Sequence, residues 1–521
     1  MRIRLHACRR LTIFLVALLV GAPAAADAPR FEITFDADLR GEAFTGRVFI
    51  MTTTAQSREP RYGANWFRPE PFFALDVTGW KPGQALRVDP LRCDGFPEPM
   101  DKLPAGPRRV QAVISVNDWS HDAINAPGNL YSEPALFTHD PDNPPTVRLT
   151  ISKRVAEPAM RDTDTVKYVS LRSELLSKFY GRDVFLRAGV LLPDAYAEDA
   201  DRRFPTLYVI PGFGGSLHDL VRMLHFNIFA PTGLQIVRVA LDADCPTGHH
   251  VFADSANNGP WGTALVTELI PYLEKQFRLI PESDARYPFG LSSGGWSSLW
   301  LQVAYPDTFG GVWSLAPDPV DFSAFQRTNI YDPHDNLYRE PDGSPRPVSR
   351  PTPRGQIFFE PMSRMEETIG RGGQLQSFEA VFSPRGRDGK PRQLWDRATG
   401  SIHEDVAQAW KKYDIRLKIE REWNTLQAKL AGKLHIFCGD QDTFWLDLAV
   451  VKLRDALTEL GSDAEVVIVP GAHHGLNMQV YQQVAREVAA HFRERYPNWD
   501  EGDEAERANQ RRAPAASTPP P

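Results

Sequence analysis

From about Ser170 onward the chain alternates short apolar runs with helical stretches, and this rhythm narrows the architecture more than any other feature. "TLYVI" at 206–210, "IVRVAL" at 236–241, "VWSL" at 312–315, "LHIFC" at 434–438 and "EVVIVP" at 465–470 are apolar almost from end to end. Strands of that kind are buried on both faces, which requires helices above and below a mostly parallel sheet. "DVFLRAGVLLP" reads as a further strand, and a helix is expected from Gly262 to Phe277. The class is therefore α/β, spread over residues 170–496.

A different period precedes it. Between Phe31 and about Val155, "FEITFDADL", "GRVFIMTTT", "RRVQAVISV" and "PTVRLTISK" alternate apolar with polar residues, separated by Pro, Gly, Asp and Asn clusters. Period-two alternation with frequent turns predicts a small all-β sandwich over residues 30–160, of accessory function. Ahead of that unit, Arg2, Arg4, Arg9 and Arg10 flank an apolar run from Leu11 to about Gly21, followed by Ala24, Ala25 and Ala26. Charged, apolar and small-residue segments in this order make a secretory signal peptide, residues 1–26, cleaved near Ala26. The expected location is secreted or periplasmic. No other segment reaches the ~18 apolar residues of a membrane span, so none is expected after cleavage.

Composition excludes several partners. A net charge of -7 and a pI near 6.0 provide no basic field for nucleic acid, which leaves a small molecule or a neutral polymer. Cys8, Cys93, Cys245 and Cys438 are widely spaced and have neither C-x-x-C nor His-paired spacing, so no metal site is expected. Export would permit one disulfide among the cysteines left after cleavage.

Two stretches depart from the α/β rhythm. Residues 317–432 contain the Pro- and Arg-rich "REPDGSPRPVSRPTPRG" and "SPRGRDGKPRQLWDRATG", then "EDVAQAWKKYDIRLKIEREWNTLQAKL", which reads as one helix. An insertion of this length in a compact domain is usually functional, and a cap over the site is the expected use. Residues 497–521 lack apolar periodicity and end in prolines, so they are expected to be disordered.

Within the α/β region, "FGLSSGGWSSLW" places Gly290, Ser292 and Gly294 in the register G-x-S-x-G. A serine hydroxyl becomes a nucleophile only when a base takes its proton, an acid orients that base, and donors stabilise the oxyanion. "ARYPF" before the motif and "WSSLWLQVAY" after it supply the strand and helix of a nucleophile elbow around Ser292. The backbone N–H of Ser293 is then one oxyanion donor, and that of Phe213 or Gly214, in "TLYVIPGFGGS", is the other. After "LHIFC" comes "GDQDTFW", with Asp440 and Asp442 as acids and Asp442 preferred; Asp442 or Thr443 could instead cap the following helix. "EVVIVPGAHHGLN" offers the base, with His474 preferred and His473 as the alternative. Ser292, Asp442 and His474 follow one another in the α/β-hydrolase order.

"TELIPYLEKQFRL", "FGLSSGGWSSLWLQVAYPDTFGGVWSLAP" and "LHIFCGDQDTFW" resemble the Putative esterase family of α/β-hydrolases, which holds esterase D-type, feruloyl, acetylxylan and enterochelin esterases. The resemblance covers roughly residues 170–316 and 432–496. It implies an α/β-hydrolase fold, Ser292 as nucleophile, Asp442 as acid and a histidine of "PGAHHG" as base, with P-G-x-x-H-G favouring His474. A β-sandwich ahead of the hydrolase domain also resembles the enterochelin-esterase arrangement. Two further histidines, His249 and His250 in "GHHVFADSANNGPWG", are expected to contact solvent or substrate rather than act in catalysis.

Together these features lead to the expectation of a secreted serine esterase without cofactor or metal, acting on a small-molecule or polysaccharide-linked ester. The competing readings are a serine peptidase or acyltransferase on the same machinery, and a non-catalytic carbohydrate-binding protein with a degenerate hydrolase fold.

Overall fold

Eight strands form the sheet that carries the serine motif: β1 (Val166–Arg172), β2 (Phe185–Leu191), β3 (Thr206–Ile210), β4 (Val237–Leu241), β5 (Arg286–Leu291), β6 (Val312–Leu315), β7 (Leu434–Gly439) and β8 (Glu465–Val469). The computed structural model describes residues 28–499. The expected signal peptide and nearly all of the expected C-terminal tail lie outside the described residues. Strand order is β1-β2-β4-β3-β5-β6-β7-β8. The pairings β1–β2 and β2–β4 are antiparallel, and every pairing from β4 to β8 is parallel. Every residue of β3, β4 and β6 is buried, which explains why these strands read as unbroken apolar runs. One sheet face packs Leu207, Val209 and Phe289 against Val484, Val488 and Phe492 of the helix Met478–Arg495. The other packs Tyr208, Ile210 and Val239 against Leu265, Leu269 and Leu301.

Several expectations are corrected. The sheet begins at Val166, ahead of the expected start, because β1, after the buried Val166, is half-buried or exposed along an antiparallel edge and lacks the signature of a core strand. The helix expected from Gly262 to Phe277 starts at Trp261 and winds wider at Leu265–Leu269, just before Pro271, which has no amide hydrogen to donate. Cys93, Cys245 and Cys438 are free, with no disulfide among them.

In the N-terminal unit, nine strands share one hydrogen-bonded network. The strand Phe44–Thr53 is buried on both sides from Val48 onward. One face closes on Phe31, Ile33, Val110 and Ile151. The other, with Phe49, Met51 and Phe72, is covered by Met365 and Ile369 of the insertion helix Phe359–Ile369. A helix of the insertion thus packs directly on the N-terminal strands.

The insertion is well folded. Its last part is two helices, Glu404–Trp410 and Ile415–Leu430, separated at Asp414. The buried Asp414 carboxylate accepts from the Leu417 amide at 2.9 Å, the Phe322 amide at 2.8 Å and the Tyr331 hydroxyl at 2.8 Å. An N-cap inside a run of good helix formers splits what periodicity alone would continue. Phe322, Phe325, Phe378, Phe382 and Trp410 form one aromatic cluster with Trp296 and Trp300 of the helix that follows Ser292. Residues 317–432 are therefore anchored directly on the helix behind the serine motif.

Candidate active site

Between β5 and the helix Ser293–Ala304 the chain must reverse in one residue, and Ser292 is that residue, with φ 62° and ψ -126°. Left-handed backbone is costly for a residue with a Cβ and marks a site held by its surroundings. Here the Ser292 amide donates to Leu315 O at 3.0 Å and its carbonyl accepts from the Trp296 and Asp318 amides at 2.9 and 3.2 Å. The flanking glycines are steric necessities: a Cβ on Gly294 would stand 2.1 Å from Ile210 O, and one on Gly290 would stand 2.4 Å from the Gly294 carbonyl.

Asp442 and His474 come together after β7 and β8. His474 Nδ1 lies 2.8 Å from Asp442 Oδ2, and the carboxylate is fully buried. Its other oxygen accepts from the Phe444 amide at 2.8 Å and the Leu446 amide at 3.3 Å. One carboxylate thus bonds amides just before and at the start of the helix Leu446–Glu459 and meets an imidazole, though the helix N-cap itself is Trp445. Asp440 turns away, accepting from the Gly471 amide at 2.7 Å. His473 is exposed and its Nδ1 faces Gln441 O at 3.0 Å, so of the two histidines only His474 meets an acid. Phe444 stands edge-on to the His474 ring, centroids 4.9 Å apart.

Ser292 and His474 open into one cavity of roughly 310 Å³, whose walls are mainly apolar. Gly212 and Phe213 border it, with Gly212 so close that an added Cβ would lie 3.5 Å from Ser292 Cβ. Phe213 stacks on Trp66 of the N-terminal unit, centroids 5.7 Å apart and planes 17° from parallel. His249 Nε2 is 2.9 Å from Pro211 O, while its Nδ1 accepts from the Val251 amide at 3.1 Å. Burial pushes the His249 pKa down to about 4, so the ring is neutral, carries its proton on Nε2 and donates it to the loop that holds Phe213. His250 is fully buried, its ring stacked on Trp261 at 3.8 Å. Neither histidine faces solvent, which removes one of the two expected contacts, because the loop that carries them is roofed by the helix Gln374–Phe382, whose Ser377 hydroxyl bonds both the His249 amide and carbonyl.

Asp318 is a site residue that the sequence reading missed. The Ser292 hydroxyl donates to its Oδ1 at 3.4 Å, the Ser293 hydroxyl donates to its Oδ2, and Gln374 Nε2 lies 3.3 Å from Oδ2. Burial pushes the Asp318 pKa up to about 6, against the lowering influence of the Ser293 hydroxyl and of His474. Its position just past the carboxyl end of β6, beside the motif strand, was the available signal, since ligand-facing residues of open α/β sheets collect there.

Away from this cavity, His435, Glu465 and Glu487 bring possible metal-ligating atoms within 4.8 Å of one another near the amino ends of β7 and β8. They already bond protein groups: His435 to Glu465 at 3.1 Å, and Glu487 to Trp313 Nε1 at 2.9 Å and Gln483 at 2.8 Å.

A mixed sheet flanked by helices, with a serine on a strained turn beside a carboxylate-paired histidine, defines an α/β protein with the geometry of a hydrolase. The chain belongs to the Putative esterase family, whose profile matches residues 185–496. Esterase Rv1288 of Mycobacterium tuberculosis strain H37Rv is 30% identical over 125 residues, 24% of this chain and 27% of that protein. Esterase MT1326 of the CDC 1551 strain matches to the same extent. The chain thus spans about a quarter of the length of the curated relatives it matches. Among solved structures, a ferulic acid esterase is similar at 15% identity and TM-score 0.38, covering 63% of this chain and 98% of that one. An S-formylglutathione hydrolase from Agrobacterium tumefaciens is similar at 14% identity and TM-score 0.36, covering 64% and 96%. Among the described residues, no helix is long and apolar enough to cross a membrane.

Proposed function

We propose that the protein is an exported serine hydrolase of the α/β-hydrolase fold that cleaves carboxylic esters through Ser292, His474 and Asp442. The observation that carries this reading is the convergence on one cavity of a serine in a strained turn and a histidine whose far nitrogen is held by a buried carboxylate. Asp442 accepts the Nδ1 proton of His474, which leaves Nε2 as the basic nitrogen. His474 takes the Ser292 proton as Oγ attacks the ester carbonyl, and the resulting oxyanion meets the amides of Ser293 and Phe213. Collapse expels the alcohol with a proton from His474, and a water deprotonated by the same imidazole releases the acid from the acyl-enzyme.

In the resting site the Ser292 hydroxyl donates to Asp318, so substrate binding has to redirect it to His474. The substrate is an ester borne by a small molecule or a polysaccharide. Export rests on the signal-like first 26 residues, and the mature chain should begin near Asp27.

The test is a panel of esters, peptides and acyl acceptors assayed with the wild type and Ser292→Ala, together with fluorophosphonate labelling. The wild type should be labelled at Ser292 and release acid from esters, while Ser292→Ala should keep only the ~10³- to 10⁴-fold acceleration that binding and oxyanion donors supply. Wild-type rates in Ser292→Ala would overturn the assignment. Transfer to a sugar acceptor in preference to water would make the enzyme an acyltransferase.

A further inference from the structure

Most polar groups around the cavity are committed to one another. Asp318, Ser292, Ser293 and Gln374 form one hydrogen-bonded cluster, and His474 is paired with Asp442. Gln326 is different. Its side chain lines the same cavity and is 6% exposed, and its buried Oε1 has no hydrogen-bond partner. An unpaired buried amide costs free energy comparable to a lost hydrogen bond, and native proteins rarely leave one without a use.

Its backbone is constrained as well. Phe325 and Thr328 exchange both backbone hydrogen bonds, at 2.8 and 3.0 Å, which makes Gln326 the first central residue of a two-residue turn. Its φ is 51°, a conformation that suits Gly or Asn. Strain and an unmet amide thus coincide on one residue of the substrate cavity. Around it, Val348, Ile357, Met362, Leu375 and Phe378 are apolar, and among the described residues the only ionisable side chains lining the cavity are Asp318 and His474. Among the described residues, no Lys or Arg lines it to receive an anion.

Resting on the ester-hydrolase reading, we infer that Gln326 is a specificity-determining residue that selects esters whose buried portion is a neutral, mainly hydrocarbon group carrying one hydroxyl or carboxamide. The Gln326 amide offers both a donor and an acceptor, so either group completes its hydrogen bonding. A plain hydrocarbon leaves the amide unpaired, and a carboxylated group meets Asp318 without a cation to offset it.

The test uses esters of one phenol with hexanoate, with hydroxyhexanoates substituted at successive carbons, and with adipate. A matching series of hexanol and hexanediol acetates covers the case in which the alcohol portion enters the cavity. In one series, one hydroxylated member should exceed its plain counterpart in kcat/KM by roughly tenfold or more, and the adipate ester should be the slowest of the acyl set. Gln326→Gly removes the amide and relieves the turn, and Gln326→Asn suits the same φ while withdrawing the amide by one carbon; both should erase the hydroxyl advantage. Labelled, active wild-type enzyme that treats hydroxylated and plain members alike in both series would overturn the inference alone. Persistence of the advantage in both variants would do the same. Wild type that neither reacts with a fluorophosphonate nor hydrolyses any ester would sink the hydrolase reading, and this inference with it.

Discussion

The floor of the cavity comes from the carboxyl ends of β3 and β5 and from the loops after β7 and β8, whereas its roof comes from residues 317–432, which begin at the β6 end, and from Trp66 of the N-terminal unit. On the floor each side chain is fixed by short-range backbone geometry: a turn at Ser292, a helix start at Asp442, a glycine loop at Gly212. In the roof, Val348, Ile357, Met362, Leu375 and Phe378 take their places through packing with one another and with Trp296 and Trp300. The difference separates two functions. A rigid floor suits bond-making chemistry, which tolerates little displacement, and a packed apolar roof suits selection by shape and solvation.

Substitutions in the two regions should therefore differ in kind as well as size. On the floor, Asp442→Asn keeps an oxygen for the Phe444 amide but turns an N–H toward His474 Nδ1 and forces the wrong tautomer. The acylation rate should fall about 10³- to 10⁴-fold with little change in melting temperature, read by single-turnover kinetics. A loss of less than about tenfold would mean that the pair is structural.

In the roof, Trp66→Ala removes the ring that stacks on Phe213. The kcat/KM for large esters should fall roughly 10- to 100-fold and that for an acetate ester by much less, because Trp66 lines the cavity that a large ester would fill. Equal losses for both esters would move Trp66 from selection to support of the oxyanion loop.

Where floor and roof meet, at Asp318, the expected effect is on stability and its pH dependence instead of on rate. Burial raises its folded-state pKa to about 6 from 3.8, so the folded protein holds that proton more tightly than the unfolded chain does. This contribution favours folding fully below the ordinary carboxylate range and is lost as pH rises through about 6. Asp318→Asn should therefore be more stable than the wild type at pH ~8, by up to about 3 kcal/mol, with the gap closing toward pH ~4. Calorimetric scans at the two pH values check it, and a gap that does not depend on pH would show that Asp318 is not buried as a titrating acid.

Much of the floor was legible from sequence because its signals are local. G-x-S-x-G needs small residues where Gly290 and Gly294 approach the backbone, and "PGAHHGL" and "GDQDTFW" sit directly after strands recognisable by their apolar runs. Asp318 escaped because no motif distinguishes "APDP" from an ordinary turn. The burial of His249 and His250 escaped because Ser377, which roofs their loop, lies in a segment far along the chain. Gln326 and Trp66 carry no local mark at all.

The sequence by itself determined the alternating α/β pattern, the sharp turn at Ser292 and the order in which serine, acid and histidine follow their strands, because each depends on residues within a few positions of one another. Only the tertiary structure decided that His474 rather than His473 meets Asp442, that a helix of the insertion covers the N-terminal sheet, and that Gln326 is left unpaired inside the cavity. Those outcomes depend on contacts between segments far apart in the chain, where burial and hydrogen bonding are settled by packing and not by neighbouring residues.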